Sequence, residues 1–144
     1  KKRVFIHRDF HISNIMITKQ SLGLIDSQDA VYGNIAYDLA SLIDDVRFKT
    51  DKKFKDKILN QFIKNNKSLD RNKFQNDFEI LSVLRNFKII GIFSRLSKRD
   101  KKHKYLKLIP YAWKLIEDRI NNNIKFNHLK NILDKNFPKK IRKK

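Results

Sequence analysis

Apolar residues recur at intervals of three and four over most of this chain, which is the spacing of one face of an α-helix. The pattern predicts helices over residues 36–47, 51–65, 71–97, 105–121 and 126–136. In the longest of these, the apolar stripe consists of Phe74, Phe78, Leu81, Leu84, Phe87, Ile90 and Phe93. We expect this stripe to be core, because aromatic residues at helical spacing usually fill one.

Residues 1–35 follow a different pattern. Val4-Phe5-Ile6 is a short apolar run typical of a strand, and the runs at 15–18 and 22–25 flank a polar turn. We expect the last two runs to form a β-hairpin, and residues 30–34 to form a loop with a Gly-Asn turn. The predicted fold class is therefore mostly α with a small β-hairpin.

Polar residues around this hairpin have the pattern of a phosphoryl-transfer site. Asp9 precedes Asn14 by five residues, and Asp26 ends the second apolar run of the hairpin. An antiparallel hairpin places Asn14 and Asp26 side by side, and Mg²⁺ prefers carboxylate, amide and phosphate oxygens. In protein kinases, the Asp of His-Arg-Asp accepts the proton of the attacking hydroxyl, and an Asn and a later Asp hold the metal. This template predicts Asp9 as the catalytic residue and Asn14 and Asp26 as Mg²⁺ ligands.

The chain resembles the aminoglycoside-phosphotransferase superfamily of kinase-like enzymes in three segments. They are the His-Arg-Asp-Phe-His motif with its Asn-Ile at 7–15, Leu-Ile-Asp-Ser-Gln-Asp-Ala at 24–30, and the Ala-Tyr-Asp-Leu-Ala-Ser-Leu run at 36–42. Within the superfamily, the last two segments and residues 84–96 most resemble the bacterial anomeric sugar kinases of N-acetylmuramate and N-acetylglucosamine. The resemblance implies phosphate transfer to an amino-sugar hydroxyl, with ATP and Mg²⁺ as cofactors.

Four residues are predicted to support this chemistry. His7 could brace the turn through its ring nitrogens, and Arg8 would favour the ionised form of its neighbour, Asp9. His11 either positions the loop, contacts phosphate or is a buried, hydrogen-bonded histidine. Asp38 resembles the helix aspartate that hydrogen-bonds the catalytic loop in kinase-like folds, although an acidic residue also suits the first turn of a helix.

Other polar residues near the motifs have different predicted roles. Gln28 and Asp29 follow the metal-binding aspartate directly and are candidate substrate-binding residues. Asp44 and Asp45 lie near the end of a predicted helix, where the helix dipole disfavours carboxylates. They could support the site or face a substrate, but we expect solvated surface charge. Ser27 departs from the superfamily, which usually has an aromatic or large apolar residue at this place.

The resemblance also implies a missing part. Kinase-like enzymes carry an N-terminal lobe with a phosphate-covering loop and a strand lysine, whereas this chain begins shortly before His7 and contains no G-x-G-x-x-G motif. We therefore interpret the chain as the C-terminal lobe of a protein-kinase-like fold, with the N-terminal lobe absent, that is inactive alone. Its partners would be a sugar and the missing lobe or a complementing chain.

The predicted domain organisation follows from this interpretation. The kinase-like lobe covers residues 1–137, with the catalytic loop and metal-binding hairpin at 4–29 and a helical subdomain at 36–137. Residues 138–144 are expected to form a frayed basic tail.

The charge of the chain supports an alternative function. The net charge is +19, and residues 49–144 carry all of it, with 28 basic and nine acidic residues. A basic helical module that binds nucleic acid would have such charge. We do not expect this partner, because no recognised nucleic-acid motif accompanies the charge, and a compositional bias would also enrich lysine on solvated faces. A further alternative is a kinase-like enzyme for an aminoglycoside or choline-like acceptor.

The composition excludes several other classes of site. The chain has no cysteine, so it forms neither disulfides nor thiolate metal sites, and its dispersed histidines give no zinc pattern. No apolar run reaches the roughly 18 residues needed to cross a bilayer. We therefore expect a cytoplasmic protein without a membrane partner.

Overall fold

A computed structural model describes residues 3–143. The predicted class is confirmed, since the described chain is mostly helical with small antiparallel sheets. Its strands are β1 Val4–Ile6, β2 Ile15–Ile17, β3 Leu22–Leu24 and β4 Val31–Gly33. Its α-helices are α1 Ala36–Ile43, α2 Lys52–Asn65, α3 Arg71–Asp100, α4 Ile109–Ile120, α5 Asn127–Asn136 and α6 Lys139–Arg142. Lys1, Lys2 and Lys144, at the ends of the predicted lobe and tail, lie outside the described residues.

The chain divides into two compact units, one up to Leu81 and one from Ser82 onward. The core of the first unit consists of Ala36, Leu39, Ala40, Ile43, Leu59, Phe74 and Phe78. The core of the second unit consists of Val83, Trp113, Ile116, Ile120, Phe126 and Leu133. Of the predicted α3 stripe, Phe74, Phe78 and Phe93 are buried, and Leu84 is exposed. The other three residues, Leu81, Phe87 and Ile90, are partly buried against the two cores.

The strand β4 corrects the expected loop at 30–34. It pairs antiparallel with β1, so that Gly33 lies opposite Val4 and Val31 lies opposite Ile6. Gly33 allows this pairing because an added methyl group would collide with the buried side chain of Ile6. The apolar pattern missed the strand because its side chains are largely exposed, and because its pairing partner is distant in sequence.

The helices agree with the predicted periodicity, with two differences. The helix expected over 36–47 ends at Ile43, and the helix expected over 105–121 is divided into a 3-10 segment, His103–Leu108, and α4. Pro110 lies in the first turn of α4, where its missing N–H costs no hydrogen bond. Within the described residues, none of these helices combines the length and the apolar character needed to span a membrane.

The segment 138–143 is not the frayed tail that we predicted. It contains α6, and Arg142 is only 3% exposed. The guanidinium of Arg142 donates hydrogen bonds to the carboxylates of Glu117 and Asp134 at 2.9 and 2.7 Å. Burial lowers the pKa of Arg142, but these two carboxylates outweigh burial and raise it overall. A charged arginine therefore attaches the segment to α4 and α5.

We expect Gly33→Ala to destabilise the first unit by about 1–3 kcal/mol, because the buried Ile6 must move to accept the new methyl group. Gly91→Ala is the matched control. Nothing lies within 4 Å of its added Cβ, and alanine should stabilise α3 by about 1 kcal/mol through its helix propensity. Urea unfolding followed by circular dichroism measures both changes, and equal effects of the two substitutions would contradict the packing role of Gly33.

Candidate active site

Asp38 holds the backbone of the loop that contains the candidate base. It lies in the first turn of α1. Its carboxylate accepts hydrogen bonds from the backbone N–H of His7 at 2.6 Å and from that of Arg8 at 3.0 Å. Arg8 has a φ of 71°, a left-handed conformation that costs a non-glycine residue about 1–2 kcal/mol. Asp38 therefore makes the contact that the resemblance implied, and it stabilises a loop conformation that the local sequence disfavours.

His7 connects the same loop to the residue before Asp26. Its imidazole is buried, and its Nε2 lies 3.0 Å from the carbonyl oxygen of Ile25. Because a carbonyl oxygen can only accept, Nε2 is the protonated nitrogen of this ring. Nδ1 is buried and has no hydrogen-bond partner among the described residues. His7 thus fixes the backbone next to Asp26.

Asn14 lies between the candidate base and the hairpin. Its Nδ2 donates a hydrogen bond to the Asp9 carbonyl at 3.0 Å, which leaves the amide oxygen Oδ1 available. Its own backbone carbonyl accepts a hydrogen bond from the N–H of Ile25 at 3.1 Å, continuing the pairing of β2 with β3. Asn14 is therefore paired with the residue that precedes Asp26, as the antiparallel register predicted.

The carboxylate of Asp9 is an available acceptor. Within residues 3–143, no hydrogen bond or ion pair engages it. The guanidinium of Arg8 donates to the carbonyl of Asp29 at 3.3 Å and makes no ion pair with Asp9 in this part of the chain. A carboxylate without a competing donor can accept a hydrogen bond, and then a proton, from an incoming hydroxyl group.

Asp26 also has a left-handed backbone, with a φ of 68°. Its side chain is exposed, and its Oδ1 accepts a hydrogen bond from Nε2 of Gln28 at 2.6 Å. Gln28 therefore orients the carboxylate of the candidate metal ligand, and its contact with a substrate stays a prediction, as does that of Asp29. Unfavourable backbone conformations such as those of Arg8 and Asp26 cluster at functional sites.

The two candidate metal ligands fit Mg²⁺ in their chemistry. Asn14 presents an amide oxygen and Asp26 a carboxylate, and both lie at the same end of the hairpin. Mg²⁺ usually takes one or two protein carboxylates and completes its octahedron with phosphate oxygens and water. The described residues contain no group of three His, Cys, Asp or Glu side chains that could hold a metal alone. The remaining ligands would therefore come from a nucleotide and water.

His11 is a buried residue of the same loop. Its backbone N–H donates to the carbonyl of Asp9 at 3.0 Å, and its own carbonyl accepts from the N–H of Asn14 at 2.9 Å. These two bonds form the turn between the candidate base and the candidate metal ligand. The burial of His11 agrees with one of its predicted roles, and a contact of its side chain with phosphate stays a prediction.

Asp44 and Asp45 are not the solvated surface charges that we predicted. Each is 1% exposed. Asp44 forms an ion pair with Lys55 of α2 at 2.9 Å, and Asp45 forms one with Arg47 at 3.2 Å. One carboxylate oxygen of Asp45 is buried without a hydrogen-bond partner in the described part of the chain. Sequence position alone could not predict the burial of Asp44, because its partner Lys55 lies in another helix, α2.

A cavity of about 640 Å³ adjoins Phe10, in the loop of the candidate base, and Asp38 of α1. Its walls are mostly apolar and come from β1, α1 and α2, including Phe5, Leu39 and Phe62. Its polar lining residues are Asp38, Lys57, Gln61, Asn65 and Asn66.

Replacing Asp38 by Asn should loosen the catalytic loop. An amide can accept at only one of its two ends, so at least one of the bonds to His7 and Arg8 is lost. Bonds to charged groups contribute about 1.5–3 kcal/mol, so we expect amide hydrogen exchange at residues 7 and 8 to be about 10- to 100-fold faster. Asp56→Asn, on the exposed side of α2, should leave their exchange unchanged. Unaltered exchange in the Asp38 variant would show that other contacts hold the loop.

Several known proteins are similar to this chain in sequence. Residues 1–71 match the phosphotransferase enzyme family, APH. The N-acetylmuramate/N-acetylglucosamine kinase of Neisseria meningitidis serogroup B is 36% identical over 114 residues, which cover 75% of this chain and 34% of that enzyme. The enzyme of the same name from Caulobacter vibrioides is 34% identical over 115 residues, which cover 76% of this chain and 32% of that enzyme.

A third relative of the same name comes from Pseudomonas aeruginosa. It is 31% identical over 124 residues, which cover 82% of this chain and 37% of that enzyme. The chain thus spans about a third of the length of the relatives it matches. Residues 1–71 thus match the phosphotransferase enzyme family, and the chain is similar to these kinases over the segments it shares with them.

Proposed function

We propose that this chain is the C-terminal lobe of an ATP-dependent kinase that phosphorylates a hydroxyl group of an amino sugar. The match of residues 1–71 to the family supports phosphoryl transfer with ATP as the donor. The names of the relatives support an acceptor of the N-acetylmuramate or N-acetylglucosamine type. The observation that carries the proposal is the contact of Asn14 with both Asp9 and the residue before Asp26.

Asp9 acts as the base in this mechanism. Its carboxylate accepts a hydrogen bond from the acceptor hydroxyl and takes the proton as the oxygen bonds to the terminal phosphorus of ATP, whose bond to the bridging oxygen breaks so that ADP leaves. Because Asp38 holds the backbone on the preceding side and Asn14 bonds the carbonyl of Asp9, the backbone that carries the Asp9 carboxylate has a defined position before substrate binds. Such positioning lowers the entropic part of the barrier.

Asn14 and Asp26 would hold Mg²⁺, which would supply neutralisation of phosphate charge when bound. Gln28 keeps the carboxylate of Asp26 oriented, and His7 keeps its backbone in place through the Ile25 carbonyl. Asp29 remains a candidate contact for the acceptor.

The nucleotide-covering half of the site comes, in this proposal, from an N-terminal lobe or a complementing chain. The hairpin of β2 and β3 exposes large apolar side chains that such a lobe would cover. Met16 is 50% exposed, Ile17 89%, Leu22 71% and Leu24 44%. Clustered exposed apolar residues mark interaction surfaces, and the relatives are about three times as long as the segment they share with this chain.

A chimera tests these roles, with this chain replacing the matching segment of the Neisseria meningitidis relative. We expect kinase activity with N-acetylmuramate or N-acetylglucosamine and none with kanamycin or choline. Asp9→Asn should lower kcat by about 10²- to 10⁴-fold through loss of the base, and Asp26→Asn should abolish turnover through loss of a metal ligand. Asp56→Asn is the control, because it removes the same charge at a position outside the site, and it should retain activity. Near-normal turnover of the Asp26 variant would refute the assigned site.

The chain by itself should be inactive. Since the contacts of a covering lobe are lacking, we expect MgATP to bind with a Kd above ~1 mM, equivalent to less than about 4 kcal/mol of binding free energy. Isothermal titration calorimetry measures this directly, and the active chimera serves as the positive control. A micromolar Kd for the chain alone would show that it needs no second lobe for nucleotide binding.

A further inference from the structure

We propose that residues 132–143, called here the Ile141 surface, bind an anionic lipid bilayer. The surface covers the end of α5, α6 and the residues between them. Its exposed apolar side chains are Ile132, Phe137 and Ile141, which are 45%, 45% and 55% exposed. Its exposed cationic side chains are Lys135, Lys139, Lys140 and Lys143.

Arg142 gives this surface its fixed shape. It is the one basic residue of the segment 132–143 that is buried. It forms ion pairs with Glu117 of α4 and Asp134 of α5, and its guanidinium lies 5.4 Å from the ring centroid of Trp113. By attaching α6 to α4 and α5, Arg142 leaves the neighbouring lysines and Ile141 directed away from the core.

The lysines of the Ile141 surface have no acidic counterpart. Asp134 is the one acidic residue among residues 132–143, and Arg142 engages it. No ion pair involves the four lysines of the surface within the described residues. More widely, residues 82–144 contain 19 basic and four acidic residues. Three of these four, Asp100, Glu117 and Asp134, are in ion pairs.

The mixture of lysine with exposed aliphatic residues favours lipid over nucleic acid. Lysines are attracted to the negative surface of an anionic bilayer, and neighbouring apolar side chains enter the boundary between headgroups and acyl chains. Nucleic acid would use the lysines but would give Ile132 and Ile141 no apolar environment. Binding of single-stranded nucleic acid also depends on stacking of bases on aromatic side chains. The aromatic residue of the surface, Phe137, already packs against Trp113, with the two ring centroids 5.6 Å apart.

This inference replaces an expectation based on sequence alone. The absence of a spanning apolar run led us to expect no membrane partner, and residues 138–144 were predicted to be frayed. A folded α6 with Arg142 buried instead provides a surface for peripheral binding.

The test is co-sedimentation of the full chain with vesicles of phosphatidylcholine, with and without phosphatidylglycerol. We expect binding only to the anionic vesicles, and less of it as salt is raised. Each lysine near the bilayer surface raises the binding affinity about fivefold. We therefore expect binding to weaken about 100-fold in the triple variant Lys139→Gln, Lys140→Gln and Lys143→Gln. Ile141→Gln alone should weaken it about fivefold through loss of apolar contact.

Matched controls separate this surface from general positive charge. Lys52→Gln, Lys53→Gln and Lys64→Gln remove the same charge from exposed positions of α2, and Ile17→Gln removes an isoleucine that is 89% exposed. Both controls should bind like the unmodified chain. The fluorescence of Trp113, the single tryptophan, reports whether the second unit stays folded in each variant.

Two results would overturn the proposal. Equal losses in the two triple variants would mean that overall charge, and not the Ile141 surface, drives binding. Tighter binding to duplex DNA than to anionic vesicles, lost in the Lys139, Lys140 and Lys143 variant but not in the α2 control, would assign the surface to nucleic acid instead.

Discussion

The carboxylate of Asp38 is the contact on which the candidate site depends. It joins the first turn of α1 to the backbone of His7 and Arg8 through two charge-assisted hydrogen bonds. Such bonds contribute about 1.5–3 kcal/mol each, which exceeds the cost of about 1–2 kcal/mol for the left-handed backbone of Arg8. The loop therefore keeps its conformation because a buried helix holds it, since Ala36 and Leu39 fix α1 in the core of the first unit.

From this contact, a chain of hydrogen bonds extends to each candidate site residue. His7 bonds the Ile25 carbonyl, Asn14 bonds the Asp9 carbonyl, and Asn14 and Ile25 are paired through their backbones. These bonds use backbone groups, the His7 ring and the amide nitrogen of Asn14, so they occupy neither the carboxylate of Asp9 nor the amide oxygen of Asn14, while Asp26 accepts a bond from Gln28. A site of this kind is organised by the protein and completed by its ligands.

The second unit shows how the burial of one cation determines the exposure of others. Arg142 can be buried because Glu117, Asp134 and the ring of Trp113 surround its guanidinium. Arginine suits this place better than lysine, since its planar group donates to two carboxylates at once. The lysines beside it have no such partners within residues 3–143 and stay exposed.

What the sequence alone determined was local. The helices, the hairpin and the motif of Asp9, Asn14 and Asp26 depend on spacings of a few residues, and spacing is visible without a structure. Even the nearness of Asn14 to Asp26 follows from the register of one hairpin.

Tertiary structure decided the features that join distant residues. The pairing of β4 with β1, the ion pair of buried Asp44 with Lys55, and the attachment of residues 138–143 through Arg142 all depend on partners elsewhere in the chain. A polar residue is buried when packing supplies a counter-charge, as Lys55 does for Asp44 and Glu117 does for Arg142. No local pattern contains that information, because the cost of burying a charge is offset only in the folded chain.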